Sequence, residues 1–154
     1  MKKIIIISVF LAGFFSSCAT TDNGDVISGP VYKKPGSYNF VLSVQDTNIQ
    51  NPSNDRRCYY KIYIDKIDSG RTAIGLESQT KTFNTALSVN KHLIEIEKYI
   101  LDEEQGKYVK VNNIYQPKPS YTYFDVMEDK IVKITVLQDT AKNKAQIIVD
   151  YEKD

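Results

Sequence analysis

The feature that most constrains the fold of this chain is a repeated alternation of apolar and polar residues, which begins at Tyr38. The stretch CYYKIYID at 58–65 shows it well, because every second residue suits a buried position: Cys58, Tyr60, Ile62 and Ile64. Successive side chains of a β-strand point to opposite faces of the sheet, so a period of two is typical of a half-buried strand.

Nine segments show this alternation, at 38–44, 58–65, 71–74, 81–87, 92–99, 107–111, 121–126, 130–137 and 145–151. Residues that tolerate turn geometry separate them, at 68–70, 89–91, 103–106, 112–113, 128–130 and 139–144. About seven to nine short strands in one domain indicate two sheets packed face to face. The lack of long helical segments argues against a parallel sheet with crossover helices. We therefore predict an all-β fold, an antiparallel β-sandwich over 38–154.

One segment, 87–104, fits two interpretations. Apolar residues also recur there at helical spacing, and Asn90 could cap such a helix. The alternation of LIEI at 93–96 favours a strand instead, because EEQG at 103–106 would then close a hairpin onto the next strand. We expect a strand in this segment.

The first 17 residues have the layout of a secretory signal peptide. Lys2 and Lys3 give a positive start, an apolar stretch of twelve residues follows at 4–15, and small serines precede Cys18. Twelve helical residues reach about 18 Å, whereas the hydrocarbon core of a bilayer is about 30 Å thick. The stretch is therefore too short for a comfortable permanent span.

A cysteine directly after Ser16 and Ser17 resembles the lipobox of bacterial lipoproteins. The resemblance implies that Cys18 is acylated, as by palmitate, and becomes the first residue of the mature protein. One acyl chain binds membranes only marginally, but two or more anchor a protein stably. Ala19 and Thr20 replace the aspartate that often retains family members at the inner membrane, so the resemblance favours the outer membrane where one exists. The alternative is a plain signal peptide with no role for Cys18.

The segment between this cysteine and the first strand is predicted to be a flexible tether. Residues 19–37 hold three glycines, two prolines and scattered polar residues, with no apolar period. The predicted organisation is a signal peptide at 1–17, the lipidated Cys18 with its tether at 18–37, and one β-sandwich domain at 38–154.

The charge of the mature chain excludes one class of partner. The full sequence has 20 basic and 19 acidic side chains. Removing 1–17 takes away Lys2 and Lys3, which leaves 18 basic against 19 acidic groups and a net charge of −1. Binding to nucleic acid depends on a concentrated positive surface, so we expect no nucleic-acid partner.

The sequence contains no recognisable catalytic set. His92 is the only histidine, and at a predicted strand start we expect it to form hydrogen bonds in a turn. Cys58 is expected to be a small buried residue, with a reactive thiol or an intermolecular disulfide as the alternative. A zinc site would need more histidine and cysteine ligands than one of each. We predict no enzyme activity, no catalytic residue, no metal site and no cofactor.

The strongest candidate for ligand binding is the stretch NNIYQPKPSYTYF, in which Tyr115, Tyr121 and Tyr123 surround two prolines. The prolines favour an extended loop. A tyrosine ring on an exposed loop offers a rigid apolar surface with a polar tip, which suits protein interfaces and sugar stacking. We predict these three tyrosines as ligand-binding residues. The alternative is that Tyr121 and Tyr123 share one face of a strand and simply pack.

Two stretches, KIYIDKIDSGRTA and LSVNKHLIEI, are similar to PEGA-type and related immunoglobulin-like modules of bacterial surface proteins. In those modules a strand ends in aspartate, a turn with glycine follows, and a later strand opens at a histidine, a pattern that Asp65, Gly70 and His92 match. The resemblance implies an immunoglobulin-like sandwich used for structure, adhesion or protein contact, and it carries over no catalytic residue.

These patterns together indicate a non-enzymatic, lipid-anchored protein of the cell envelope. Its β-sandwich would serve as an adhesion, scaffold or protein-interaction module. Its expected partners are the membrane, through the lipid, and another envelope protein. The alternative is a lipoprotein that binds a small molecule or a glycan through the aromatic loop around Tyr115–Tyr123.

Overall fold

The computed structural model of the protein describes residues 38–49 and 51–153. The predicted signal peptide, Cys18 and the tether lie outside the described residues. The described part contains ten β-strands: β1 (Phe40–Thr47), β2 (Arg57–Ile64), β3 (Ile67–Arg71), β4 (Gly75–Leu76), β5 (Lys81–Thr85), β6 (Lys91–Asp102), β7 (Lys107–Lys110), β8 (Tyr121–Asp125), β9 (Lys130–Asp139) and β10 (Lys144–Lys153). Two short 3-10 helices occupy Pro52–Asn54 and Asn113–Tyr115. No helix in these ranges is long and apolar enough to cross a bilayer.

The strands form two sheets. Sheet A has the order β10, β9, β1, β5, and sheet B has the order β3, β2, β6, β7, with β4 also pairing with β2 and β8 with β6. The all-β, two-sheet prediction is confirmed, with ten strands instead of seven to nine. One pair, β1 with β9, is parallel. A hairpin forces antiparallel pairing, but these two strands are separated by all the strands of sheet B, so no short turn constrains their direction.

The segment at 87–104 is a strand, as predicted, since β6 extends without interruption from Lys91 to Asp102. The predicted turn at 68–70 and strand at 71–74 are wrong. The chain reverses at Asp65 and Lys66, which both have positive φ angles of 53° and 68°, and strand β3 begins immediately after them. Asp tolerates the left-handed conformation of such two-residue hairpin turns, whereas Gly70 lies within β3 beside an irregularity in the β2–β3 pairing.

The core lies between the inward faces of the two sheets. Sheet A contributes Phe40, Leu42, Val44, Val132, Ile134 and Val136, and sheet B contributes Cys58, Tyr60, Ile62, Ile64, Ile94, Ile96 and Phe124. Phe40 meets Phe124 across the interior, with ring centroids 5.0 Å apart. The period-two pattern therefore supplies one apolar face per sheet, and removing those faces from water drives the packing of the sheets.

The interior changes character along its length. Beside the start of β1, His92 and Asp65 form an ion pair at one end of the interior. We call this region the His92 end. At the other end of β1, the inward positions of three strands become polar: Asp46 follows Val44, Lys98 follows Ile96, and Gln138 follows Val136. We call this region, formed by Asp46, Tyr60, Glu77, Lys98 and Gln138, the polar end.

Candidate functional site

Tyrosines cluster on the outward side of sheet B. Six of the eleven tyrosines of the chain point from its strands away from the core, and we call this surface the tyrosine face: Tyr59, Tyr63, Tyr99, Tyr108, Tyr121 and Tyr123. Side chains directly opposite in an antiparallel pair lie on the same side of the sheet, which brings strands β2, β6, β7 and β8 together here. Tyr121 and Tyr123 are 56% and 59% exposed, so the face is open to a partner.

Contacts within the tyrosine face hold the rings in fixed positions. Tyr59 stacks on Tyr99 with centroids 5.1 Å apart and planes inclined by 4°, and its ring also lies 5.2 Å from that of Tyr108. The hydroxyl of Tyr63 donates to Glu97 at 3.3 Å, and Glu97 is also ion-paired with a lysine of β7. The rings are thus ordered before any partner binds, which lowers the entropy cost of association.

Positive side chains lie above several of these rings. The Arg71 guanidinium is 4.9 Å from the Tyr59 centroid, and the Lys61 ammonium is 5.4 Å from that of Tyr63. At the far edge, Lys91 lies 5.5 Å from the ring of Tyr123. Lys61 also pairs with Asp68 at 2.9 Å. The face therefore combines charged side chains of both signs with tyrosine and arginine, the two residue types here that are enriched at protein interfaces.

A buried ionic network occupies the polar end. The Lys98 ammonium lies between Asp46 and Glu77, 2.6 Å from a carboxylate oxygen of each. The second carboxylate oxygen of Asp46 accepts a hydrogen bond from the Tyr60 hydroxyl, and that of Glu77 accepts one from the Arg56 backbone at 3.2 Å. The side chains of Asp46, Glu77 and Lys98 are each at most 4% exposed, so these charges rely on each other rather than on water.

The surroundings shift the pKa of three side chains in the network, Glu77, Lys98 and Tyr60. Burial alone would raise the pKa of Glu77, but the charge of Lys98 and hydrogen bonds outweigh it and lower the pKa. Burial alone would lower the pKa of Lys98, but Asp46 and Glu77 raise it. Burial, followed by the charge of Asp46, raises the pKa of Tyr60 well above its ordinary value. At neutral pH, Glu77 and Lys98 are therefore charged and Tyr60 is a neutral donor.

The polar end opens outward into a cleft of about 450 Å³. Glu77, Lys98 and Gln138 line the inner part of the cleft, and Tyr115 lines it from a loop. The loop is fastened to β6 by Gln116, whose side chain accepts from the Lys98 amide at 2.7 Å and donates to the Lys98 carbonyl at 3.1 Å. The position of Tyr115 is thereby tied to the same strand that carries the buried lysine.

The structure places the three predicted ligand-binding tyrosines in two different regions. Tyr121 and Tyr123 lie together on β8 and belong to the tyrosine face. Tyr115 ends the second 3-10 helix and lines the cleft. The sequence analysis treated them as one loop, but β8 begins at Tyr121 and separates the two groups.

The surroundings of Cys58 and His92, the other two residues considered in the sequence, indicate structural roles. Cys58 is fully buried in the core, and burial raises the pKa of its thiol to about 11, so it stays protonated at neutral pH. His92 contacts the Ser88 carbonyl at 2.9 Å and Asp65 at 2.7 Å. Burial alone would lower the pKa of His92, but its bonds to Ser88 and Asp65 raise it. Its expected role in hydrogen bonding near a turn is confirmed.

The sequence analysis missed Asp46, Glu77, Lys98 and Gln138. A signal for three of them exists, since extending the alternation of β1, β6 and β9 by one step assigns a polar residue to an inward position. A polar residue at such a buried position needs a hydrogen-bond or ionic partner inside the protein. Glu77 follows the two-residue strand β4 and has no such pattern.

No group of three or more His, Cys, Asp and Glu side chains within 38–49 and 51–153 could hold a metal ion. Comparisons of the chain with protein-family models, with curated proteins and with solved structures give no match.

Proposed function

We propose that this protein is a non-enzymatic, lipid-anchored binding module of the cell envelope, which contacts another envelope protein through the tyrosine face. The observation that supports the protein contact is the concentration of six tyrosines on one side of sheet B, four of them held by contacts with each other or with Glu97. Tyrosine is enriched at protein interfaces because its ring provides a large contact area and its hydroxyl can still form a hydrogen bond.

The charges on this face favour a protein over other partners. Five cationic side chains are interspersed with four acidic ones on this face: Arg57, Lys61, Arg71, Lys91 and Lys110, and Asp68, Glu95, Glu97 and Asp125. A balance of five against four gives no strong field of either sign, so a highly charged polymer would gain little here. A partner surface with aromatic groups and mixed charges would be complementary.

Photo-crosslinking in intact cells tests this proposal. A photoreactive amino acid replaces Tyr123 in one variant and Tyr115 in another, because the two positions are equally exposed, at 59%, and only the first lies on the tyrosine face. We expect a defined protein adduct from position 123 and none from position 115. Adding Tyr121→Ala should lower the adduct yield about tenfold, because Tyr121 is an exposed neighbour of Tyr123 on β8 and the loss of a tyrosine hot spot has an effect of this size.

Two results would contradict this. One is equal adduct formation from both positions, which would indicate random encounters. The other is an adduct whose yield does not respond to Tyr121→Ala, which would place the contact elsewhere. Unchanged thermal unfolding of the variants checks that the sheet is intact.

Anchoring is tested separately at Cys18. If this cysteine is acylated, mass spectrometry of the mature N-terminus should find a lipid on Cys18, and Cys18→Ser should release the protein from the membrane fraction. An N-terminus with an unmodified thiol, or one that still carries 1–17, would contradict the lipid anchor.

A further inference from the structure

The cleft at the polar end has the dimensions and the polar lining of a ligand site, and it lies apart from the tyrosine face. Its volume of about 450 Å³ falls within the range of small-molecule sites, which is roughly 300–1,000 Å³. Its rim carries the amide side chains of Asn48, Asn54 and Asn143, together with the hydroxyl of Thr140. Amides and hydroxyls both donate and accept hydrogen bonds, which suits a ligand covered with hydroxyl groups.

Gln138 supplies the independent observation that points to a ligand. Its side chain lines the cleft, the residue is 2% exposed, and its Oε1 has no hydrogen-bond partner among the described residues. A buried acceptor without a partner is unfavourable, and such groups in folded proteins call for an explanation. Because Oε1 can only accept, the missing group must be a donor, either O–H or N–H. An anion without a proton to donate cannot satisfy it.

The charges at the cleft also favour an uncharged ligand. Each ionised group that lines it has an opposite charge beside it: Lys98 contacts Asp46 and Glu77, and Arg56 contacts Glu77 at 3.3 Å. A charged ligand would have to compete with these pairs, whereas a neutral one can accept from Arg56 or donate to Glu77 without breaking them.

Tyr115 adds an aromatic surface to this set of polar groups. Its ring is 59% exposed and lines the cleft, while Gln116 fixes the adjacent backbone to β6. A sugar ring has an apolar face of C–H groups that packs on an aromatic ring and an edge of hydroxyls that needs hydrogen-bond partners. The cleft offers both kinds of contact in one place.

We propose that the cleft at the polar end binds an uncharged saccharide of one or two rings, which packs against Tyr115 and donates a hydroxyl or acetamido proton to Gln138. This proposal does not depend on the protein contact of the tyrosine face. It predicts that sugar binding and protein adduct formation respond to different substitutions.

Calorimetric titration of the full chain, in a detergent without a sugar headgroup, tests the proposal. The probes are maltose and N,N′-diacetylchitobiose, each raised to about 10 mM, a concentration at which a dissociation constant of about 1 mM is detected. We expect at least one of them to bind. Inorganic sulfate serves as the anionic probe and should not bind.

Two substitutions locate the site. Gln138→Met keeps the length of the side chain and removes the unpaired acceptor, so it should weaken sugar binding about tenfold while thermal stability is unchanged or higher. Tyr115→Ala, on the surface, should weaken binding by a similar factor. Tyr123→Ala is the matched control and should have no effect.

Three results would overturn the proposal. The first is that neither disaccharide binds at this concentration. The second is that binding survives both Gln138→Met and Tyr115→Ala, which would place the sugar elsewhere. The third is that sulfate binds and the disaccharides do not, which would make the cleft an anion site around Arg56.

Discussion

The interior around Ile134 and the polar end around Lys98 are built on the same sandwich, yet they are stabilised in different ways. Ile134 packs among Phe40, Leu42 and other apolar residues, and each contact contributes in proportion to buried area without regard to direction. Lys98 depends on two particular carboxylates at 2.6 Å. The apolar part therefore tolerates small changes, whereas the buried ion pairs of Lys98 depend on the presence of each charged partner.

The largest effect is expected from Lys98→Met, which keeps most of the side-chain volume and removes the charge. Asp46 would then remain buried without a cation and Glu77 with only the half-exposed Arg56, and breaking a buried pair in this way costs about 3–5 kcal/mol. The free energy of unfolding in urea measures the loss. As a control, Lys110→Met removes the exposed partner of Glu97, and a surface pair is worth at most about 1 kcal/mol. Equal losses of unfolding free energy in Lys98→Met and Lys110→Met would refute the distinction between the buried and the exposed ion pairs.

A smaller effect is expected from Ile134→Val, at about 0.5–1.5 kcal/mol, because one buried methyl group is lost.

The pH dependence of these two costs distinguishes the polar end from the apolar interior. The pKa of Glu77 is lowered on folding from 4.5, so its stabilising contribution is present above that value and lost as the pH falls through the folded pKa. The cost of Lys98→Met should therefore shrink as the pH falls below 4.5, while the cost of Ile134→Val stays constant. Parallel shifts of both costs would contradict this assignment.

The smallest effect concerns the His92 end. The pKa of His92 is raised on folding from 6.5, so the contribution of its charged form is complete below that pH and is lost as the pH rises through the folded pKa. Because the Asp65 side chain is 48% exposed, the pH-dependent part should not exceed about 1 kcal/mol. Unfolding measured between pH 6 and pH 8 should show this decline in the wild type. A decline of the same size in His92→Gln would assign it to another group.

The sequence predicted the strands well because the signal is local. Alternation over β2, β6 and β9 needs only neighbouring residues, and the long strand Lys91–Asp102 follows from it despite the competing helical spacing. The exception was the turn before β3. Gly70 led to a predicted turn at 68–70, whereas the chain reverses at Asp65 and Lys66. A glycine tolerates turn conformations but does not require them, and the two-residue turn is selected by strand twist.

The two candidate regions could not be predicted from the sequence because both depend on long-range pairing. Tyr59 and Tyr99 stack only because β2 and β6 pair in one register, and a shift of one residue would reverse every side chain. The contact of Lys98 with Asp46 joins residues 52 positions apart. Grouping Tyr115 with Tyr121 by sequence proximity had no such support, since a new strand begins between them.

The direction of β1 has a consequence for how the molecule would be presented on a surface. The described chain begins at Tyr38, beside the His92 end, and the eight residues of β1 then extend to the polar end. At about 3.4 Å per residue, this separates the start of the described domain from the cleft by roughly 24 Å. Under the proposed lipid anchor, the chain would enter the domain at the pole opposite the proposed sugar site, leaving that site free to reach material beyond the membrane.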